Sequence, residues 1–336
     1  MTLDQTAADR RDAMKAIVYH EYGSPDVLEL REIDKPVVKD DEVLIRVRAA
    51  SANPADWHFM RGLPYIMRPQ AGLRRPKNTA LGRDISGQLE AVGKDVTQFR
   101  PGDEVFANVG AGGFAEYICV SESLLVLKPA NLTFEQAAAV PLAALTALQG
   151  LRDAGQLQPG QKVLIIGASG GVGTFAVQIA KSFGADVTGV CSTRNVEMVR
   201  SLGADRVIDY TREEFTYSGQ KYDLIFQLAG TRSPSECRRA LTSRGTLLLS
   251  SGESSGRWLG PVDRMIKAVV LSPFVSQKLG SFLAKPSKDD LQFLRELIEA
   301  GKLKPVIDRT YSLSDAPAAI RYLEEGHARG KVVITV

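Results

Sequence analysis

Cysteine is scarce in this chain: Cys119, Cys191 and Cys237 stand far apart and are odd in number. No disulfide framework and no C-x-x-C zinc pair can be built from them. Such usage fits a reducing, cytoplasmic setting. Histidine is as sparse, with only His20, His58 and His327. Long apolar runs are missing too: no window approaches about 18 uninterrupted apolar residues, so no transmembrane helix is expected. Nor is there a charge excess of one sign. The 42 Lys and Arg residues face 39 Asp and Glu, and the basic ones are spread along the chain. Neither a nucleic-acid partner nor a membrane is implied, and the local cluster "LRRPK" reads as a solvated loop. The opening stretch "MTLDQTAADRRDAMK" lacks an apolar h-region, so no secretory signal is expected. Residues 1–13 read as a disordered N-terminal extension.

What is present is an ordinary globular composition, 44% hydrophobic and 24% charged over 336 residues, enough for about two domains. From Met14 to about residue 125 the text reads as β-structure. "EVLIRVRAAS" alternates, with Val43, Ile45 and Val47 on one face and Leu44, Arg46 and Arg48 on the other, which makes a half-buried strand. "ISGQLEAVG", "PGDEVFANV" and "GFAEYICV" are short strands set off by Gly and Pro. From about residue 134 the period changes. "TFEQAAAVPLAALTALQGLRDAG" reads as helix interrupted at Pro141. Apolar strands ("KVLIIG", "DVTGV", "RVIDY", "YDLIFQL", "GTLLLSSG") then alternate with helices, which predicts a parallel sheet covered on both faces. Residues 256–290 are less regular. A helix over roughly 314–325, with Ser314 as N-cap, precedes a last strand, "KVVITV".

The stretch "GASGGVG", residues 167–173, fits two chemistries. As G-x-S-x-G it is a nucleophile elbow with Ser169 attacking an acyl group. That reading needs an acid and then a histidine downstream, and only His327 follows Ser169. No H-G-G-G-type stretch supplies an oxyanion hole. As a phosphate-binding turn it is an imperfect G-x-G-x-x-G, with Ala168 in place of the first glycine. This second reading meets its requirements: a strand precedes and a helix follows, so an anion would sit at the helix N-terminus. Gly170 and Gly171 would admit a pyrophosphate, and Gly173 would let helix and strand pack closely.

About 20 residues on, an Asp or Glu would bind the ribose 2′-hydroxyl of NAD. Here the text is "GVCSTRN", without an acid. Ser192, Thr193 and Arg194 can instead hold a 2′-phosphate through charge-assisted hydrogen bonds, so NADPH is the expected cofactor. Tyr210, ending "RVIDY", could reach the adenosine.

The sequence is similar to the medium-chain dehydrogenase/reductase superfamily, in its zinc-free quinone oxidoreductase-like branch. The motifs are "SANPADW" (51–57), "LGRDISG" (81–87), "PGDEVFA" (101–107), "VPLAALTAL" (140–148), "GASGGVG" with "CSTRN", "SLGADRVIDY" (201–210) and "GKVVITV" (330–336). The resemblance implies an α/β fold. A GroES-like β-barrel domain (14–130 and 305–336) would pair with a Rossmann doubly wound parallel-sheet domain (131–304), with the active site between them. It implies a homodimer and a small-molecule substrate: a quinone, an enal or an enone. It places Asn53 and Thr146 near the nicotinamide, Tyr65 as a proton donor or stacking ring, and Ala168 to Gly173, Val172 included, around the pyrophosphate. Ala229, Gly230 and Gly252 would approach the same ring as Asn53. Zinc-dependent members carry Cys where "ANPAD" stands and His where Arg83 stands, so no metal is expected. Without a Lewis acid, an electron-poor acceptor suits the site best. Quinone or carbonyl reduction, alkenal/enone double-bond reduction, and a non-catalytic NADPH-binding regulatory module all remain open at this level.

Overall fold

A computed structural model of the chain describes residues 13–217, 219–250, 256, 258–260 and 262–336. Residues 1–12, most of the expected extension, lie outside that set, as does Gly252.

β-strands come first. β1 (Ala13–Val18) pairs antiparallel with β2 (Glu29–Asp34). β3 (Glu42–Ala52), β4 (Asp84–Val92), β5 (Glu104–Asn108), β6 (Tyr117–Ser121) and β7 (Val126–Leu127) belong to a larger sheet, with α1 (Pro54–Arg61) and α2 (Arg68–Ala71) between β3 and β4. The alternation in β3 holds in part: Val43, Ile45 and Val47 are buried in one core with Ile85, Leu89 and Val105, and Arg46 faces out, but Leu44 is buried too and residues 49–52 are covered on both sides. The helical stretch near Pro141 is two helices, α3 (Phe134–Ala138) and α4 (Pro141–Gln149). Pro141 occupies the first turn of α4, where its missing N–H leaves no bond unmade.

Strand and helix then alternate: β8 (Lys162–Ile166), α5 (Gly171–Ser182), β9 (Asp186–Cys191), α6 (Val196–Ser201), β10 (Arg206–Asp209), β11 (Tyr222–Gln227), α7 (Pro234–Arg238), β12 (Leu241–Leu249), α8 (Val262–Leu271), β13 (Lys278–Ser281) and α9 (Lys288–Glu299). The six strands form one sheet in the order β10-β9-β8-β11-β12-β13, and every pair in it is parallel. This is the doubly wound order, whose reversal point falls between β8 and β11. Successive residues of β8 serve opposite faces. Val163 and Ile165 pack with Phe175, Ile179 and Leu294, while Leu164 and Ile166 pack with Ile208, Tyr222 and Leu279. Each such fully buried side chain contributes about 1.5–3 kcal/mol.

The chain ends with β14 (Ile307–Ser312), α10 (Ala316–Glu324) and β15 (Lys331–Thr335). β15 pairs with β14 and, antiparallel, with β3, so the first sheet runs β14-β15-β3-β4-β5-β7, with β6 on β3. One local expectation needs correction: Ser314 does not cap α10. It lies in a 3-10 turn over Leu313–Asp315, and its hydroxyl meets that of Ser312 at 2.7 Å. The tighter turn moves the helix start to Ala316.

Candidate active site

The turn after β8 is built from glycine's freedoms. Gly167 has φ +88°, and the N–H groups of Gly167 and Ala168 both donate to Val190 O on β9. Gly170 N–H donates back to Gly167 O. A Cβ on Gly173 would stand 2.0 Å from Gly167 O, so α5 can seat on the turn only without a side chain there. The first helical bond runs from Thr174 N–H to Gly170 O, 3.0 Å. The amides of Gly171, Val172 and Gly173 are thus outside the helical ladder. A Cβ on Gly170 would clash with nothing, its nearest contact being Gly167 O at 3.5 Å. The result is a cradle at a helix N-terminus that a Cβ would fill, and it fits a pyrophosphate. Ala168 is fully buried and packs inward beside Gly189, so only its backbone belongs to the cradle. Val172 packs partly against the core.

At the end of β9, Ser192 is half-buried while Thr193 and Arg194 are exposed. Asn195 was not singled out in the sequence, yet it organises this corner. It is buried, and its Nδ2 donates to Ser169 Oγ at 3.0 Å and Ser192 Oγ at 3.2 Å. Its Oδ1 is a buried acceptor without a hydrogen-bond partner. Arg194 reaches across to His327 O at 2.9 Å. Although β9 itself ends without an acid, Asp209 at the end of β10 reaches in: it accepts Thr193 Oγ1–H at 2.5 Å and Thr211 Oγ1–H at 2.7 Å. The Thr193 hydroxyl is therefore committed to a carboxylate, whereas the Ser192 hydroxyl, which accepts from Asn195, keeps its own O–H to donate. Tyr210 is 62% exposed beside this corner, its N–H on Cys191 O.

Under the turn lies a buried polar layer that joins the two sheets. Asp84, at the start of β4, is 0% exposed. Its Oδ1 accepts from Asn108 Nδ2 at 3.1 Å and from Leu142 N–H at 3.0 Å, the latter at the N-terminal turn of α4, where a negative charge is favoured. Its Oδ2 accepts from Asn53 Nδ2 at 3.0 Å and Ser51 Oγ at 3.3 Å. Lys331, first residue of β15, brings its Nζ to 2.5 Å from Asn53 Oδ1 and 3.6 Å from Asp84 Oδ2. Its stem passes Gly171, whose added Cβ would meet Lys331 Cδ at 3.1 Å. Burial pushes the Asp84 carboxyl up and the Lys331 ammonium down, and the attraction between them opposes both shifts. Asn53 is thus buried, with its amide shared among Ser51 O, Asp84 and Lys331. Neither Lys331 nor Asp84 is marked out by its local sequence. The one available signal was a charge opening an apolar strand in "GKVVITV".

Next to this layer is a cavity of about 440 Å³, lined among others by Tyr19, Asp56, Phe59, Lys77 and Arg83. Asp56 accepts from Asn53 N–H at 2.8 Å with Oδ2 and from Gly82 N–H at 3.1 Å with Oδ1. Burial raises its carboxyl to about 6, against those two hydrogen bonds and the Arg83 charge. Tyr65 lies on another segment, edge-on to Trp258 with ring centres 5.4 Å apart, and the Arg68 guanidinium covers its ring. Thr146 is buried in α4, its hydroxyl bonded to Leu142 O at 2.7 Å. Ala229 follows β11 and packs on the cradle: a Cβ on Gly167 would be 2.7 Å from Ala229 Cβ. Asn195 thus links Ser169 to Ser192, and Ala229 packs on Gly167, whereas Tyr65 packs elsewhere, with Trp258 and Arg68.

No group of three His, Cys, Asp or Glu side chains able to hold a metal occurs among the described residues. Where such a group would be needed, Asp84 is ringed by donors and Arg83 adds a second cation. That donor set does not fit zinc, which needs converging N, S or O ligands.

Two protein-family models match the chain. The alcohol dehydrogenase GroES-like domain matches residues 39–130, and the zinc-binding dehydrogenase family matches residues 202–334. Human mitochondrial NAD(P)H oxidoreductase RTN4IP1 is 37% identical, over 98% of this chain and 91% of its own length. The chloroplastic NADPH-dependent alkenal/one oxidoreductase of Arabidopsis thaliana is also 37% identical, over 96% of this chain and 79% of its own. The structure of the quinone oxidoreductase from Coxiella burnetii superposes with a TM-score of 0.85 at 31% identity, covering 96% of this chain and 99% of that one. The chain belongs to the medium-chain dehydrogenase/reductase superfamily, in its quinone oxidoreductase-like branch.

Proposed function

We propose that this protein is a zinc-independent, NADPH-dependent oxidoreductase that transfers hydride to a quinone or another electron-poor carbonyl compound. The carrying observation is the pairing of an open glycine cradle at the α5 N-terminus with Arg194 at the end of β9. In this reading the amides of Gly171 to Gly173 bind the pyrophosphate, Asn195 Oδ1 accepts a ribose hydroxyl, and Arg194 takes the 2′-phosphate. Ala229, and Gly252 beyond the described residues, flank the nicotinamide. Bound NADPH supplies a hydride, and the chain's own residues orient the acceptor beside it. Asn53, locked between Asp84 and Lys331, acts by fixing the wall against which the cofactor seats. Thr146 shapes that wall from α4, while Tyr65, packed with Trp258 and Arg68, has no assigned part in this reading.

The alkenal/one oxidoreductase among the relatives favours a second reading, reduction of the double bond of an enal or enone. Turnover of a panel of quinones, enals and enones, followed by NADPH absorbance, separates the two. Oxidation with quinones alone supports the first reading, and with enals and enones alone the second. Tight NADPH binding without oxidation by any of them would contradict both and leave a cofactor-binding module.

A further inference from the structure

Arg83 and Asp84 are neighbours that face opposite ways, as adjacent residues at a strand start must. Asp84 turns into the Asn53 layer, while Arg83 lines the 440 Å³ cavity. The guanidinium lies 4.7 Å over the Phe59 ring, a contact that holds its plane but uses none of its five donors. Its side chain donates no hydrogen bond to any described residue. The acid on the cavity wall, Asp56, accepts from two backbone N–H groups and acts on Arg83 through charge alone, with no hydrogen bond between them. Lys77 and Asn78 stand at the rim, with Arg74 and Arg75 exposed just before them. A half-buried fork with unused donors, in a cavity of small-molecule size and behind a basic rim, is a receptor for a planar anion.

We propose that this cavity takes a carboxylate of the substrate, with the Arg83 fork as its seat and Lys77 at its mouth. The preferred acceptor is then an electron-poor carbonyl compound or alkene that also carries an acid group. This rests on the reductase reading above and adds the substrate's charge to it.

Binding tests the proposal apart from turnover. Calorimetric titration of the full chain with 4-oxopentanoate and with its methyl ester compares ligands that differ in the acid alone. The acid is expected to bind about 10- to 100-fold more tightly, the range for a charge-assisted hydrogen-bonded contact. Arg83→Gln should bring that ratio close to one, while Arg83→Lys keeps part of it. Lys77→Gln, an exposed change that leaves the fold alone, should lower the ratio only about two- to five-fold, as an exposed charge does. Equal binding of acid and ester by the unmodified protein would overturn the proposal. So would an undiminished ratio in a folded Arg83→Gln variant. Turnover of (E)-4-oxopent-2-enoate with NADPH is a separate readout. Acid-selective binding without its reduction would contradict the reductase reading and leave the anion seat standing.

Discussion

Lys331 is 4% exposed and Asp84 0%, so each is the other's main countercharge in a region water does not reach. Removing one partner of a buried pair leaves a charge that nothing answers, typically at a cost of about 3–5 kcal/mol. Lys331→Met should therefore lower the urea unfolding free energy by about that amount, and adding Asp84→Asn should recover part of it. A loss below about 1 kcal/mol in the single variant would mean that the four donors on Asp84 suffice without the ammonium. At this scale the sequence is a partial guide. Arg194 and the glycines could be read because their chemistry shows in short motifs. Asn53 and Asp84 lie in motifs that could be quoted, but their mutual contact, 31 residues apart, cannot be seen in either. Asn195 stood inside "CSTRN" and went unremarked, because a buried amide looks like an exposed one in a string of letters.

Among the elements, β8, its turn and α5 carry the most weight, and their two key glycines do different work. A Cβ on Gly173 would meet the turn's own backbone at 2.0 Å, whereas one on Gly170 would meet only Gly167 O, at an ordinary 3.5 Å. Gly170 also has φ −82°, a conformation that alanine adopts without strain. Gly173→Ala should then lower the melting temperature by several degrees. Gly170→Ala should melt like the unmodified protein yet bind NADPH at least about tenfold more weakly, since its methyl group occupies phosphate space. Thermal melts with and without NADPH separate these outcomes; equal melting and equal binding for both variants would contradict the cradle. The β8–α5 unit was legible because an apolar run, a glycine turn and helical periodicity coincide. β2 ("ELREID") was not, since all six residues are exposed and charges crowd it. β13 ("KLGS") was not either: four residues with an internal glycine lack any period, and only the edge of a preformed sheet makes them a strand.

Across the whole molecule, the two sheets meet where the cofactor is proposed to lie. Gly330 N–H donates to Ser169 O at 2.9 Å, Arg194 to His327 O at 2.9 Å, and the Lys331 stem runs beside Gly171. The segment that leads into β15 thus packs against the glycine turn, and Arg194, proposed to take the 2′-phosphate, sits on that seam. The alternation of strand and helix made the parallel sheet readable, because each unit declares itself within about 30 residues. The contacts of that C-terminal segment with the glycine turn depend on tertiary packing, and no local pattern encodes them. The most direct measurement is the ratio of kcat/KM for NADPH over NADH, with one accepted quinone or enone, in the unmodified protein and in Arg194→Glu. A ratio well above one that falls by about 10- to 100-fold in the variant is the predicted result, the range for losing a charge-assisted contact. An unchanged ratio, or no oxidation of NADPH at all, would contradict the assignment.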